Sequence, residues 1–157
     1  MATKAFRLQI SIYCVSAGSD DLDRVAEFYG SISYRHEGQS SWTTIAQASD
    51  SSPWYIRERD ATEVFEILPY NFKIDIPDSA TFIEIQSSLK EYDPTIFDAD
   101  ENLGTQTISV PVPTPGNLES KEGSQGNGSI GQANISVRLV SVEDYENSLN
   151  SNTWKMF

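Results

Sequence analysis

Apolar and polar residues alternate with a period of two along most of the chain. In the segment KAFRLQISIYC, Phe6, Leu8, Ile10 and Ile12 fall on one side of an extended backbone, with mostly polar residues between them. Such alternation is typical of a half-buried β-strand. Further short segments of this kind follow, each bounded by turn-forming residues: EFYGSISY, SSWTTIAQA, SPWYIRER, TEVFEIL, NFKIDIP, TFIEIQSSLKEY, TQTISVPV and ANISVRLVSV. The pattern predicts about eight strands.

Helical patterns are short and rare. The segment DLDRVAEFY has room for one helical turn, and SVEDYENSLN begins with Ser141 as a cap and Asp144 three residues later. Short strands at regular spacing, without intervening helices, favour two packed sheets. We therefore predict an all-β fold, an antiparallel eight-stranded β-sandwich of Greek-key type with long acidic loops at one end.

The length of 157 residues is that of one ordinary domain. We expect residues 1–157 to form a single β-sandwich. One segment, Pro111 to Gln132, interrupts the alternation, because it is rich in Pro, Gly, Ser, Asn and charged residues. Such a composition buries little apolar surface, so the sequence predicts a long, flexible surface loop over 111–132.

The charge balance excludes one class of partner. The chain has 23 acidic and 11 basic residues and no Lys/Arg cluster to follow a phosphate backbone, so we expect no nucleic-acid binding. No apolar run approaches the length of a membrane span, and the N-terminal residues lack the pattern of a signal peptide. We therefore expect no transmembrane segment, and the sequence leaves the localisation undetermined between the cytoplasm and non-classical secretion. The lone Cys14 lies in an apolar strand pattern and is predicted to fill the core.

Acidic residues are concentrated in two segments. Strand counting in an antiparallel sandwich brings both segments to one end, where like charges raise one another's pKa unless a cation compensates them. Calcium suits such a site, because it takes six to eight oxygen ligands with loose geometry. The candidate metal ligands are Asp20, Asp21, Asp23 and Glu27 in the first segment, and Asp93, Asp98, Asp100 and Glu101 in the second.

Other metals fit less well. Zinc and copper favour His and Cys ligands, and the chain has one of each. The spacing of the acidic residues is not that of an EF-hand. The simple alternative is that the acidic residues are solvated turn residues that bind no metal.

These segments resemble the calcium-binding C2 family of eight-stranded β-sandwiches. Asp21 and Glu27 match two acidic residues six apart in the family's first loop. Asp93 and Glu101, the latter in ENLG, match acidic residues of a later loop, whereas Thr95 stands where the family has a second Asp. The resemblance covers residues 5–112 and implies calcium binding by the acidic loops.

Ile96 and Phe97 are an apolar pair within the second acidic segment. An exposed apolar side chain forgoes about 1.5–3 kcal/mol of burial free energy, so we expect something to cover them. Either they fold back onto the end of the sandwich as a lid, or they insert into a membrane surface or a partner's groove once calcium neutralises the acidic residues around them.

The sequence contains no phosphate-binding glycine loop, nucleophile elbow or metal-binding His pair, so we expect no enzymatic activity. Three classes of function remain. The first is a calcium-binding module that binds anionic lipid headgroups or a protein or glycan partner through its acidic loops. The second is a calcium-stabilised adhesion, carbohydrate-binding or assembly module that binds no lipid. The third is a metal-free structural or inhibitory sandwich. Trp42, Trp54, Tyr55 and Tyr34 either form a binding platform or pack in the core.

Overall fold

The computed structural model describes residues 2–18, 24–58, 70–92 and 100–151. These residues form nine strands followed by one helix. The strands are β1 (Thr3–Ser16), β2 (Val25–His36), β3 (Thr43–Ala48), β4 (Trp54–Arg57), β5 (Tyr70–Pro77), β6 (Phe82–Glu91), β7 (Glu101–Pro111), β8 (Glu119–Asn127) and β9 (Gly131–Ser141), and the helix is α1 (Val142–Ser151).

The strands form two antiparallel sheets that pack as a β-sandwich. One sheet has the order β5-β1-β9-β8, and the other has the order β3-β2-β6-β7, with β4 paired to the start of β2. The chain crosses between the sheets repeatedly, because β1 pairs with β5 and β9 while β2 pairs with β6. The all-β sandwich is therefore confirmed. The predicted count of eight strands is wrong, since the described residues contain nine.

Alternating strand residues supply the core. On β1, Leu8, Ile10, Ile12 and Cys14 are fully buried, and they face the inward residues of the other sheet, such as Phe28 and Ile85. The burial of Cys14 confirms its predicted place in the core. Burial of these apolar side chains is the main favourable contribution to folding.

Strand β8 corrects the sequence prediction for residues 111–132. Glu119 to Asn127 pair with β9 over nine residues, in a segment predicted to be a loop without regular structure. Gln125 is the one buried side chain of β8, at 4% exposure. The apolar pattern that marks the other strands is missing here, because the inward positions of β8 carry Gly123 and Gln125.

Helix α1 begins where the sequence predicts. Ser141 Oγ accepts a hydrogen bond from the Asp144 backbone N–H at 3.1 Å, which satisfies one of the free N–H groups of the first turn. The guanidinium of Arg7 lies 5.3 Å from the centroid of the Tyr145 ring, which places the helix against β1. The other predicted helical turn, in DLDRVAEFY, is wrong for its described part, because β2 begins at Val25.

Candidate functional site

The described ends of both acidic segments lie at the same end of the sandwich. Phe28, near the start of β2, is paired with Glu91 at the end of β6. One residue further on, the Tyr92 backbone N–H donates to the Glu27 carbonyl oxygen at 2.8 Å. The first acidic segment therefore enters β2 beside the point where the second leaves β6. This confirms the convergence expected from strand counting. We call this end of the sandwich the loop end.

Two further segments meet at the loop end. Ser16, at the end of β1, donates from Oγ to the carbonyl oxygen of Gly128 in the β8–β9 turn at 3.0 Å. Arg24, just before β2, forms an ion pair with Glu58 after β4 at 3.1 Å. The Glu58 carboxylate also accepts a hydrogen bond from the Ala17 backbone N–H at 3.3 Å. These contacts fix both ends of the first acidic segment to the strands around it.

Three of the eight candidate metal ligands lie in the described residues. Glu27 is half-buried on β2 and is paired with Tyr55 of β4. Asp100 accepts a hydrogen bond from the Tyr29 hydroxyl at 2.6 Å. Burial, together with the hydrogen bond and the charge of Asp100, raises the pKa of Tyr29 to about 12. Glu101, at the start of β7, is exposed.

The other predicted site residues lie outside the described residues. They are Asp20, Asp21, Asp23, Asp93, Asp98, Ile96 and Phe97. Within the described ranges, no three Asp, Glu, His or Cys side chains form a group suited to hold a metal ion. Calcium binding at the loop end therefore stays a prediction.

Glu91 is a carboxylate of the loop end that is not among the predicted ligands. It is 7% exposed and follows Leu89 on the inward side of β6. A Cβ atom at Gly131 would lie 3.2 Å from Glu91 Oε2 and 3.5 Å from a ring carbon of Phe28, so a glycine at the start of β9 leaves room for the carboxylate. The signal for its burial is present in the sequence, because Glu91 continues the alternation of Ile83, Ile85, Ser87 and Leu89.

Exposed apolar side chains also occur at the loop end. Among the large hydrophobic residues that the structure describes, Val15, Tyr55 and Leu149 are exposed, and Tyr55 is the most exposed at 61%. Tyr55 lies on β4 beside Glu27, and Val15 lies near the end of β1. Of the two arrangements expected for the aromatic residues, packing in the core holds for Trp54, which is buried, and for Tyr34, which packs against the core, while Trp42 is half-buried.

No helix in the described part of the chain is long and apolar enough to cross a membrane. No family model matches the sequence, and the search of curated proteins finds no match. Among solved structures, the chain is similar to a chain in the crystal structure of the Cry23Aa1 and Cry37Aa1 binary protein complex. The identity is 18% and the TM-score is 0.52, over 88% of this chain and 99% of that chain. At this identity the similarity shows a shared fold.

Proposed function

We propose that the protein is a non-enzymatic, calcium-binding β-sandwich module that binds an anionic membrane surface through its loop end. The observation that carries the proposal is the hydrogen bond from the Tyr92 N–H to the Glu27 carbonyl oxygen, because it joins the ends of the two acidic segments. In this proposal, Asp and Glu side chains from both segments share one cation. Oxygen ligands on loops match the loose coordination that calcium accepts.

Charge supports a dependence on calcium. The formal net charge of −12 opposes approach to an anionic membrane. A cation bound among the acidic residues reverses the local charge and bridges carboxylates to lipid phosphates. The exposed Tyr55 at the same end supports an interfacial role, because tyrosine places an apolar ring and a polar hydroxyl at the boundary between lipid and water.

Calcium binding is tested first, by isothermal titration and by thermal unfolding with and without EDTA. We expect a dissociation constant between micromolar and millimolar, and a melting temperature that rises with calcium concentration. The double variant Asp93→Asn/Asp98→Asn is expected to lose this shift. The matched control is Asp75→Asn/Asp78→Asn, which changes the charge equally on β5 and in the β5–β6 turn, at the opposite end of the sandwich. An unchanged melting temperature at several millimolar calcium contradicts the proposal.

Lipid binding is tested by co-sedimentation with phosphatidylserine vesicles, with phosphatidylcholine vesicles as the neutral comparison. We expect sedimentation with phosphatidylserine only when calcium is present. A protein that binds calcium but sediments with neither vesicle is instead a calcium-stabilised adhesion, carbohydrate-binding or assembly module. A protein that responds to neither calcium nor vesicles is a metal-free structural or inhibitory sandwich.

A further inference from the structure

The outer face of the β3-β2-β6-β7 sheet carries short uncharged side chains in cross-strand rows. One row runs through Gln47, Ser31, Ser88 and Thr105. The next row along the strands runs through Thr44, Ser33, Gln86 and Thr107. We call these eight side chains the hydroxyl–amide face. All of them carry a hydroxyl or an amide group, and none of them is charged.

The parts of this face on the edge strands β3 and β7 are open to solvent, whereas Ser33 on β2 is buried, and several of the hydroxyl groups are held in place by hydrogen bonds. Thr44, Gln47, Thr105 and Thr107 are exposed. The hydroxyl oxygens of Ser88 and Thr105 lie 2.8 Å apart, which is a hydrogen bond between neighbouring strands. The hydroxyls of Ser33 and Thr44 make a similar contact at 3.3 Å. Each hydroxyl group has one donor and two acceptor sites, so these contacts leave some of the hydrogen-bonding capacity of the face unused.

Charged side chains border the face on both sides. In the row beyond Thr107, Arg35 forms an ion pair with Glu84 at 3.0 Å, and its guanidinium lies 4.2 Å from the centroid of the Trp42 ring. On the opposite border, Tyr29 donates to Asp100, and the exposed Lys90 lies beside Tyr29 in the same row. The two rows themselves, as the described strands pair, contain no acidic and no basic side chain across four strands, a width of about 10–15 Å.

The side-chain composition of the hydroxyl–amide face favours one class of ligand over others. Protein interfaces have a buried centre enriched in aromatic residues, Met and Arg and depleted in Ser, which is the opposite of this face. Nucleic acids and anionic membranes require clusters of basic side chains, and the two rows contain none. Arg35, which is paired with Glu84, and Lys90 lie on opposite borders of the face. A neutral polyhydroxylated ligand matches uncharged rows of groups that both donate and accept hydrogen bonds. We propose that the hydroxyl–amide face binds a neutral polysaccharide chain, at a site separate from the loop end.

Affinity gel electrophoresis tests this proposal with four soluble neutral polysaccharides as probes: hydroxyethylcellulose, laminarin, galactomannan and soluble starch. We expect at least one of them to retard the protein, with the same retardation in EDTA and at 0.5 M NaCl, because a neutral ligand requires neither calcium nor attraction between charges. Retardation by none of the four overturns the proposal. Retardation that EDTA abolishes assigns the binding to the loop end and also overturns it.

The variant Thr105→Val/Thr107→Val locates the site. Valine keeps the shape and the strand preference of threonine and removes the hydroxyl group, so the sheet is expected to remain folded. The loss of two hydrogen-bonding groups should weaken retardation about fivefold or more. The control Thr3→Val removes an exposed hydroxyl from β1 in the other sheet and should change nothing. Circular dichroism confirms that the variants are folded, and equal retardation of both variants overturns the proposal.

Discussion

Gln125 on β8 and Ser87 on β6 join the two sheets through their side chains. Ser87 Oγ donates to Gln125 Oε1, and Gln125 Nε2 donates to the carbonyl oxygens of Ser87 at 3.2 Å and Gly104 at 2.7 Å. Both side chains are buried, at 4% exposure for Gln125 and 1% for Ser87. Among the described strands, β7 and β8 share no backbone ladder. One amide group therefore connects three strands along this side of the sandwich.

Replacement of Gln125 by Ala is expected to lower the free energy of unfolding by about 1–3 kcal/mol, because the carbonyl oxygens of Ser87 and Gly104 lose their donor and the buried Ser87 hydroxyl loses its acceptor. The matched control is Gln47→Ala, which truncates an exposed glutamine on β3 and should change stability by less than about 0.5 kcal/mol. Denaturation by urea measures both variants. Equal stabilities of the two variants would show that the side-chain connection between the sheets contributes little.

Strand β8 is an element that the hydrophobic pattern of the sequence does not predict. Strands β1, β6 and β9 alternate apolar and polar residues over ten or more positions, and the sequence predicts each of them. Strand β8 also forms a regular antiparallel ladder, with β9. The residues of β8 that face the interior, however, are Gly123 and Gln125. An edge strand that contributes hydrogen bonds instead of apolar surface gives no hydrophobic period, so its composition resembles that of a loop.

The candidate site also has one feature that the sequence predicts and one that it does not. The meeting of the two acidic segments follows from the number of strand reversals, which the sequence pattern contains. The burial of Glu91 depends on a residue 40 positions away, because Gly131 on β9 leaves the space that its carboxylate occupies. Contacts between sheets are not encoded in the period of any one strand, so they appear only in the folded structure.

Glu37 gives a pH dependence of stability with a defined sign. Its carboxylate accepts hydrogen bonds from the Thr81 backbone N–H at 2.7 Å and from the Thr81 hydroxyl at 2.8 Å. These two bonds, the backbone bond first, hold the pKa of Glu37 below its ordinary value of 4.5. Because the pKa is lower in the folded state, the stabilisation is fully present above about pH 4.5 and is lost as the pH falls through the folded-state pKa.

The test compares the wild type with Glu37→Gln by thermal unfolding between pH 2.5 and 7. We expect the variant to be less stable at neutral pH and the difference to shrink below pH 4.5. Thr81→Val, which removes the hydroxyl and keeps the backbone N–H, should show a smaller loss at neutral pH. A difference between wild type and Glu37→Gln that stays constant over this range would contradict the assignment.

Tyr29 reports on whether Asp100 binds calcium. Burial and the hydrogen bond to Asp100 raise the pKa of Tyr29 to about 12. A calcium ion that draws the Asp100 carboxylate into its coordination weakens that bond and offsets its charge, so calcium should lower the pKa of Tyr29. NMR with labelled tyrosine measures this shift, and the six other tyrosines are internal references.

Asp100→Asn provides the control for that titration. Without the carboxylate, the pKa of Tyr29 should be lower than in the wild type and should no longer respond to calcium. A wild-type Tyr29 whose pKa is the same with and without calcium, in a protein that binds calcium by titration, would exclude Asp100 from the ligands.

Phe97 distinguishes insertion into a membrane from packing as a lid. If calcium lets Ile96 and Phe97 enter the boundary between headgroups and acyl chains, Phe97→Ala should weaken calcium-dependent binding to phosphatidylserine vesicles by about 1–3 kcal/mol. Calcium affinity and melting temperature should then stay close to those of the wild type. The matched control is Leu149→Ala, which removes an exposed apolar side chain from α1 and should leave vesicle binding unchanged.

The opposite pattern identifies a lid. A Phe97 side chain that packs on the end of the sandwich contributes to the folded state, so its truncation should lower the melting temperature and leave the vesicle affinity of the folded protein as it was. Measuring both quantities on the same variant separates the two roles, because insertion changes binding alone and packing changes stability alone. A Phe97→Ala protein that loses only stability would end the insertion hypothesis, whatever its affinity for calcium.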